Sequence, residues 1–151
     1  KQKGVAYIGA HGMSLGAATI IYSFQEKIDY AFVVLESSYD NIYNAFYNRL
    51  PILGLDHSIF HPLRFWAEYL MEVETEQLCP EEFVHLYQGN ILFIAGDSEH
   101  QVKVADTEYL YQKCTSSHKT LYWMKGRKHV NFLKHYSEEV VPVFEDFFEK
   151  N

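Results

Sequence analysis

The segment G-M-S-L-G at residues 12–16 constrains the fold of this chain more than any other part of the sequence. It follows an apolar run at residues 5–10 and precedes a second one at 17–21, whose composition suits a helix. We therefore predict a strand, a tight turn and a helix in that order. Gly12 and Gly16 flank the turn, where side chains leave little room, and Ser14 would project from the top of a sheet.

Apolar runs without polar alternation recur along the chain and are separated by helix-like segments. We predict strands at residues 5–10, 30–35, 91–95 and 120–124, and helices at 15–25, 41–49, 61–71, 103–113 and 138–150. Runs of this kind are typical of parallel strands that are covered on both faces. The pattern predicts a single α/β domain over residues 1–151, with a mostly parallel sheet and flanking helices. Residues 39–89 are less regular, and we interpret them as a helical insertion or small cap region.

Composition excludes several classes of protein. The 151 residues are 48% hydrophobic, which is enough for one packed core, and their net charge of −7 argues against nucleic acid as a partner. No apolar run approaches the ~20 residues that a membrane span needs. Cys79 and Cys114 lie far apart without C-x-x-C spacing, which favours two free thiols in a cytoplasmic protein and leaves one disulfide as the alternative.

Three of the predicted strands are followed by residues that can carry chemistry. Ser14 follows the first strand, Asp97 and Glu99 follow the third, and His129 follows the fourth. Active groups in open parallel sheets lie at the carboxyl ends of strands. A serine hydroxyl is a weak nucleophile that needs a histidine to take its proton and a carboxylate to orient that histidine. The order nucleophile, acid, base therefore predicts a Ser-His-acid triad.

Four stretches of the chain resemble the C-terminal half of an α/β-hydrolase. They are G-M-S-L-G-A-A-T at 12–19, V-L-E-S-S-Y at 34–39, L-F-I-A-G-D-S-E-H-Q-V at 92–102 and G-R-K-H at 126–129. The nearest resemblance is to serine hydrolases with little cap, such as BEM46-like proteins and related esterases and peptidases. It implies that Ser14 attacks a small acyl ester or thioester, that His129 is the base, and that the Leu15 N–H stabilises the oxyanion. No cofactor or metal is implied.

The acid position departs from the usual pattern of that family. The family's usual G-x-x-D-x-x-V matches Gly96, Glu99 and Val102, so Glu99 stands where aspartate is common. Glutamate serves in some members, and we expect Glu99 to be the acid. Asp97, two residues nearer the strand, is the alternative.

A second departure is that the strands expected ahead of the first predicted strand are missing. In the family, a loop after one of them supplies half of the oxyanion hole, and losing one donor costs ~10²–10³-fold in rate. An uncovered sheet edge also invites pairing with another strand. We therefore expect this piece alone to be poorly active, and either associated with a missing N-terminal half or self-associated.

Each candidate also has a structural interpretation. Ser14 could be a helix N-cap, and the whole chain could be a non-catalytic binding domain on the same fold. His135 competes with His129 for the role of base, although it lies within a helical region.

Other titratable residues are interpreted as structural. His11 would pack near the floor of the site, and Glu36, at the end of the second strand, is a weak alternative acid. His57 and His61 are spaced for one helix face, but no third metal ligand accompanies them.

Overall fold

The computed structural model of the chain describes residues 7–150. Four strands form one parallel sheet in the order β1-β2-β3-β4, which confirms the predicted α/β class. The strands are β1 (Ala10–Met13), β2 (Phe32–Glu36), β3 (Asn90–Gly96) and β4 (Lys119–Met124). Because all four run the same way, their carboxyl ends meet at one edge of the sheet.

Six α-helices and several short 3₁₀ turns connect the strands within the described residues. The helices are α1 (Leu15–Ser23), α2 (Ile42–Arg49), α3 (Phe60–Met71), α4 (Val104–Lys113), α5 (Phe132–His135) and α6 (Ser137–Glu149). The 3₁₀ turns are Phe24–Glu26, Pro51–Leu53, His57–Ile59, Thr75–Gln77, Pro80–Glu82 and Val84–Leu86. The predicted helices agree with these to within a few residues; α5, a single turn, was not predicted.

The two middle strands, β2 and β3, are buried on both faces, which explains why they do not alternate with polar residues. Val33, Leu35, Ile91 and Phe93 pack on one face against Ile21 and Leu110, which belong to α1 and α4. Val34, Leu92 and Ile94 pack on the other face against Phe132, Val140 and Phe147 of α5 and α6. The result is a three-layer arrangement whose middle layer carries the strand ends.

The first strand lies later in the chain than the sequence predicts. The predicted strand at residues 5–10 falls partly outside the described residues, and β1 begins only at Ala10. Tyr7 and Ile8 are 82% and 61% exposed, so they lack the cover that their apolar character led us to expect. The Ala31 N–H donates to the Ile8 carbonyl at 2.8 Å, which links this segment to the residue preceding β2. The apolar run therefore marks the approach to the strand as well as the strand itself.

The segment 39–89 contains α2, α3 and five of the 3₁₀ turns, and it adds no strand to the sheet. It is anchored by Tyr39 and Ala45, which pack with Ala18 of α1 and with Val102. Phe60 is buried beside the rings of Tyr43, Phe46 and Tyr47, whereas Phe65 and Trp66 of α3 are mostly exposed.

Neither cysteine forms a disulfide within the described residues, and burial raises the pKa of the Cys114 thiol. The cytoplasmic location inferred from them stays a prediction. Among the helices of residues 7–150, none has the length and apolar character needed to cross a bilayer.

Candidate active site

Ser14 occupies the sharp turn between β1 and α1. Its backbone has φ 52° and ψ −115°, a strained combination for a residue with a side chain. Two backbone hydrogen bonds hold the turn: the Ser14 N–H donates to the Glu36 carbonyl at 2.8 Å, and the Ala18 N–H donates to the Ser14 carbonyl at 3.0 Å. The turn thus fastens the start of α1 to the end of β2, and no side-chain capping bond accompanies it.

The two glycines of the turn are not equivalent. A Cβ at Gly12 would lie 2.6 Å from the backbone carbon and oxygen of Gly16 and 2.8 Å from the Ala17 nitrogen. A Cβ at Gly16 would meet no described atom within 4 Å. The turn therefore requires glycine at position 12, whereas the expectation that both positions need it is not met at position 16.

Glu99 and His129 form a buried pair at the carboxyl ends of β3 and β4. Glu99 Oε2 lies 3.0 Å from His129 Nδ1, and the two side chains are only 1% and 9% exposed. This contact leaves Nε2 on the opposite side of the imidazole, free to face a substrate or nucleophile. An acid that holds one ring nitrogen in this way orients the ring for proton transfer at the other.

Glu99 is itself held from two sides. Its Oε1 accepts the Gly96 N–H at 3.0 Å and also the hydroxyl of Ser37, a buried residue with φ 48°. A Cβ at Gly96 would lie 2.2 Å from the Arg127 carbonyl oxygen, so only glycine lets the end of β3 approach the turn after β4. The Gly96 N–H, at the first position of the motif, thus bonds directly to the side chain of Glu99 at its fourth position.

Asp97 has a different position. It is exposed, and its Oδ1 accepts the Gly126 N–H at 2.6 Å and the Ser98 hydroxyl at 3.2 Å. Gly126 has a φ of 69°, so the carboxylate of Asp97 stabilises a tight turn. The contacts of Asp97 are those of a loop-stabilising residue, and those of Glu99 are the ones that reach His129.

The loop after β4 reaches back across the sheet towards β2. The Phe132 N–H, at the start of α5, donates to Glu36 Oε2 at 3.3 Å. His129 precedes Phe132 by three residues and is carried in the same direction. Without this return, three strand spacings of about 4.8 Å each would separate the end of β4 from Ser14.

His11 and Glu36 form a second histidine–carboxylate pair under the turn. His11 Nε2 lies 2.7 Å from Glu36 Oε1, and the glutamate side chain has no exposure. The imidazole edge also contacts Phe144 of α6, with ring centroids 5.6 Å apart. Glu36 therefore joins β1, β2 and the loop that carries His129, which is a structural role.

The Ser14 hydroxyl faces Arg49 in the described structure. Arg49 Nη2 lies 3.5 Å from Ser14 Oγ, and no hydrogen bond joins Ser14 and His129 among the described residues. Leu15 is 62% exposed, and it begins α1, where the first N–H groups have no acceptor within the helix. These N–H groups and the helix dipole favour negative charge near Ser14.

Asp106, in the first turn of α4, has a strongly raised pKa. Burial and the nearby Asp40 raise its pKa to about 6, while its Oδ2 accepts the Lys103 N–H at 3.0 Å and caps α4. Within the described part of the chain, no group of three His, Cys, Asp or Glu side chains is placed to bind a metal ion.

The other candidate histidines lie elsewhere. His57 stacks on Tyr47 ahead of α3, and His135 is exposed at the end of α5.

Two residues of the site were not singled out from the sequence. Ser37 contacts Glu99, and Arg49 contacts Ser14. A signal for Arg49 exists, since it is the only Lys or Arg between Lys27 and Arg64. Ser37 lies between Glu36 and Ser38 at the end of β2, and all three polar residues are buried. The sequence alone does not reveal that they are buried.

The described fold is that of the α/β-hydrolases, as comparison with solved structures shows. The Pyrococcus furiosus esterase Pf2001 is similar over 95% of this chain and 54% of its own, with 17% identity and a TM-score of 0.70. Paleococcus ferrophilus monoacylglycerol lipase is similar over 96% and 70%, with 16% identity and a TM-score of 0.63. Pyrococcus horikoshii acylaminoacyl peptidase is similar over 98% and 24%, with 14% identity and a TM-score of 0.69.

This chain therefore spans about half the length of the Pyrococcus furiosus esterase. No protein-family model and no curated protein sequence matches it.

Proposed function

We propose that this chain is part of a serine hydrolase that cleaves a carboxylic ester or thioester through an acyl-enzyme. The observation that carries the proposal is the buried Glu99–His129 contact of 3.0 Å, at the sheet edge where Ser14 sits in a strained turn. Esterases and a lipase among the proteins of similar fold are in keeping with it.

In the proposed reaction, Ser14 Oγ bonds to the carbonyl carbon of the substrate while His129 Nε2 takes the hydroxyl proton. Glu99 holds the imidazole at Nδ1 and stabilises its cation. The Leu15 N–H donates to the oxyanion, which collapses as the bond to the leaving group breaks and His129 returns the proton to that group. Water then repeats the sequence at the acyl carbon, which frees the acid and regenerates Ser14. A peptidase or acyltransferase would use the same residues with another leaving group or acceptor.

The alternative is a non-catalytic binding domain, and one observation favours it. Ser14 Oγ accepts a hydrogen bond from Arg49, and among the described residues no hydrogen bond joins it to His129. In many apo enzymes such contacts are long and tighten only with substrate. We prefer the serine-hydrolase proposal because Glu99 holds His129 at Nδ1, the ring nitrogen that an orienting acid binds in a triad, whereas Glu36 binds His11 at Nε2.

A fluorophosphonate probe separates the two functions. In the complete natural chain we expect labelling that Ser14→Ala abolishes and His129→Gln strongly slows. Ser23→Ala is the matched control, because Ser23 lies on the same helix and donates to the Ile20 carbonyl. A folded protein that is not labelled, or that is labelled equally after Ser14→Ala, would sink the catalytic proposal.

The proposal extends to the architecture around the site. We propose that residues 39–89 form a small cap over the sheet edge of a single domain. We also propose that β1, which pairs only with β2 among the described strands, gains a further strand from the rest of the natural chain or from a second copy. That added segment would supply the second oxyanion donor. Sedimentation of the complete chain distinguishes the two sources, since only the second requires a dimer.

A further inference from the structure

Arg49 places a positive charge next to the proposed nucleophile. It is the last residue of α2, and its guanidinium is held by the helix because Nη1 donates to the Ala45 carbonyl at 2.8 Å. Nη2 remains on the side of the site, 3.5 Å from Ser14 Oγ. The side chain is partly buried, so its charge is not fully solvated by water.

None of the carboxylates in the described residues forms an ion pair with Arg49. The nearest in sequence have other partners: Asp40 accepts from Asn41 and Asn44, and Asp56 accepts from the Ser58 N–H. Glu36, at the end of the neighbouring strand, is taken by His11 and Phe132. The cation beside Ser14 is thus left without a counter-charge from the described protein.

The location of this charge limits what it can bind. When Ser14 Oγ is bonded to the carbonyl carbon of an ester, the groups a few bonds from that carbon come within reach of Nη2. A guanidinium binds a carboxylate through charge-assisted hydrogen bonds, and a partly desolvated site strengthens them. A neutral acyl chain would leave the charge of Arg49 uncompensated.

We propose that Arg49 binds a carboxylate on the acyl part of the substrate, so that half esters of short dicarboxylic acids are the preferred substrate class. The proposal rests on the proposed hydrolase function and adds a specificity residue to it. The chemical step is unchanged: water is consumed, the ester C–O bond breaks, the alcohol leaves with a proton, and the second carboxylate stays ionised against Arg49.

The kinetic test compares monomethyl glutarate with methyl hexanoate, a neutral ester of similar length, on the complete natural chain. We expect kcat/KM to favour the half ester. Arg49→Gln should lower the ratio of kcat/KM for the half ester to kcat/KM for the neutral ester about 10–100-fold. Arg64→Gln is the matched control, since it removes the same charge from α3, where Arg64 pairs with Glu68 at 2.8 Å. Circular dichroism checks that each variant is folded.

Two results would overturn the proposal. One is a wild-type protein without preference for the half ester; the other is an equal loss on both esters in Arg49→Gln, which would assign Arg49 to the oxyanion or to the serine.

A binding measurement separates this inference from the hydrolase proposal. Calorimetry on Ser14→Ala should show glutarate binding that hexanoate does not match and that Arg49→Gln removes. Binding of this kind without any hydrolysis would keep the Arg49 assignment and reject the hydrolase. Hydrolysis without glutarate binding would do the reverse.

Discussion

The backbone carbonyl of Glu36 accepts the Ser14 N–H at 2.8 Å. This hydrogen bond attaches the turn that carries the proposed nucleophile to the end of the neighbouring strand, β2. The side chain of the same glutamate, which has no exposure, contacts His11 on one oxygen and the Phe132 N–H on the other. One residue thus ties the serine turn to the loop that carries His129. The geometry of the site depends on this link as much as on the residues proposed to react.

Removing the imidazole from this link should destabilise the fold. His11→Ala leaves the buried Glu36 carboxylate with the Phe132 N–H as its remaining side-chain contact, and we expect a loss of about 1–3 kcal/mol in the free energy of unfolding. The double variant His11→Ala/Glu36→Gln should recover about 1 kcal/mol, because a neutral amide costs less to bury. Urea denaturation measures both values. A double variant no more stable than His11→Ala would contradict the buried charge as the cause.

Replacing each glycine of the turn by alanine should affect the stability of the fold differently. Gly12→Ala forces a Cβ against the backbone of Gly16 and should cost about 1–3 kcal/mol. Gly16→Ala meets no described atom within 4 Å and lies in the first turn of α1, so it should be neutral or stabilising by up to about 1 kcal/mol. Thermal unfolding of the two variants makes the comparison, and equal destabilisation would show that position 16 is also closely packed.

The two candidate acids should separate in kinetics. Glu99→Gln keeps the shape of the side chain but removes the charge that holds His129, and we expect kcat to fall by about 10³–10⁴-fold. Asp97→Asn retains an oxygen for the Gly126 N–H and should leave kcat close to that of the wild type. The rate of fluorophosphonate labelling provides the same comparison without a known substrate. The opposite ranking would make Asp97 the acid.

Asp106 should make stability depend on pH. Its pKa is about 6 in the folded chain against an ordinary value of 3.8, so the folded state binds the extra proton between these two values. The contribution of Asp106 to stability is therefore greatest below about pH 4 and is lost as the pH rises through about 6, because burial resists ionisation of this carboxyl group. Relative to Asp106→Asn, we expect the wild type to lose about 1–3 kcal/mol across that window.

Chemical denaturation at several pH values measures this difference. Asp146→Asn, an exposed carboxylate paired with Lys150, is the control for removing one charge. A difference between wild type and Asp106→Asn that does not change with pH would contradict the raised pKa.

Much of the fold could be predicted from local patterns. Unalternating apolar runs predicted β2, β3 and β4 to within two residues at each end, because strands buried on both faces need apolar residues at every position. The same rule misled at β1, where Tyr7 and Ile8 are apolar but exposed. The approach to a strand and the strand itself have the same composition, and only pairing with β2 separates them.

The sequence by itself determined the class of fold and the order of the chemical groups, since Glu99 and His129 follow apolar runs that become parallel strands and Ser14 directly follows β1. Which carboxylate contacts the histidine was decided by tertiary structure, because Gly96 lets β3 approach Arg127 and turns Glu99 inward while Asp97 caps a turn. The contacts of Glu36 with Phe132 and of Arg49 with Ser14 join residues 96 and 35 positions apart. Such contacts depend on how loops cross a finished sheet, and no local pattern of residues records that.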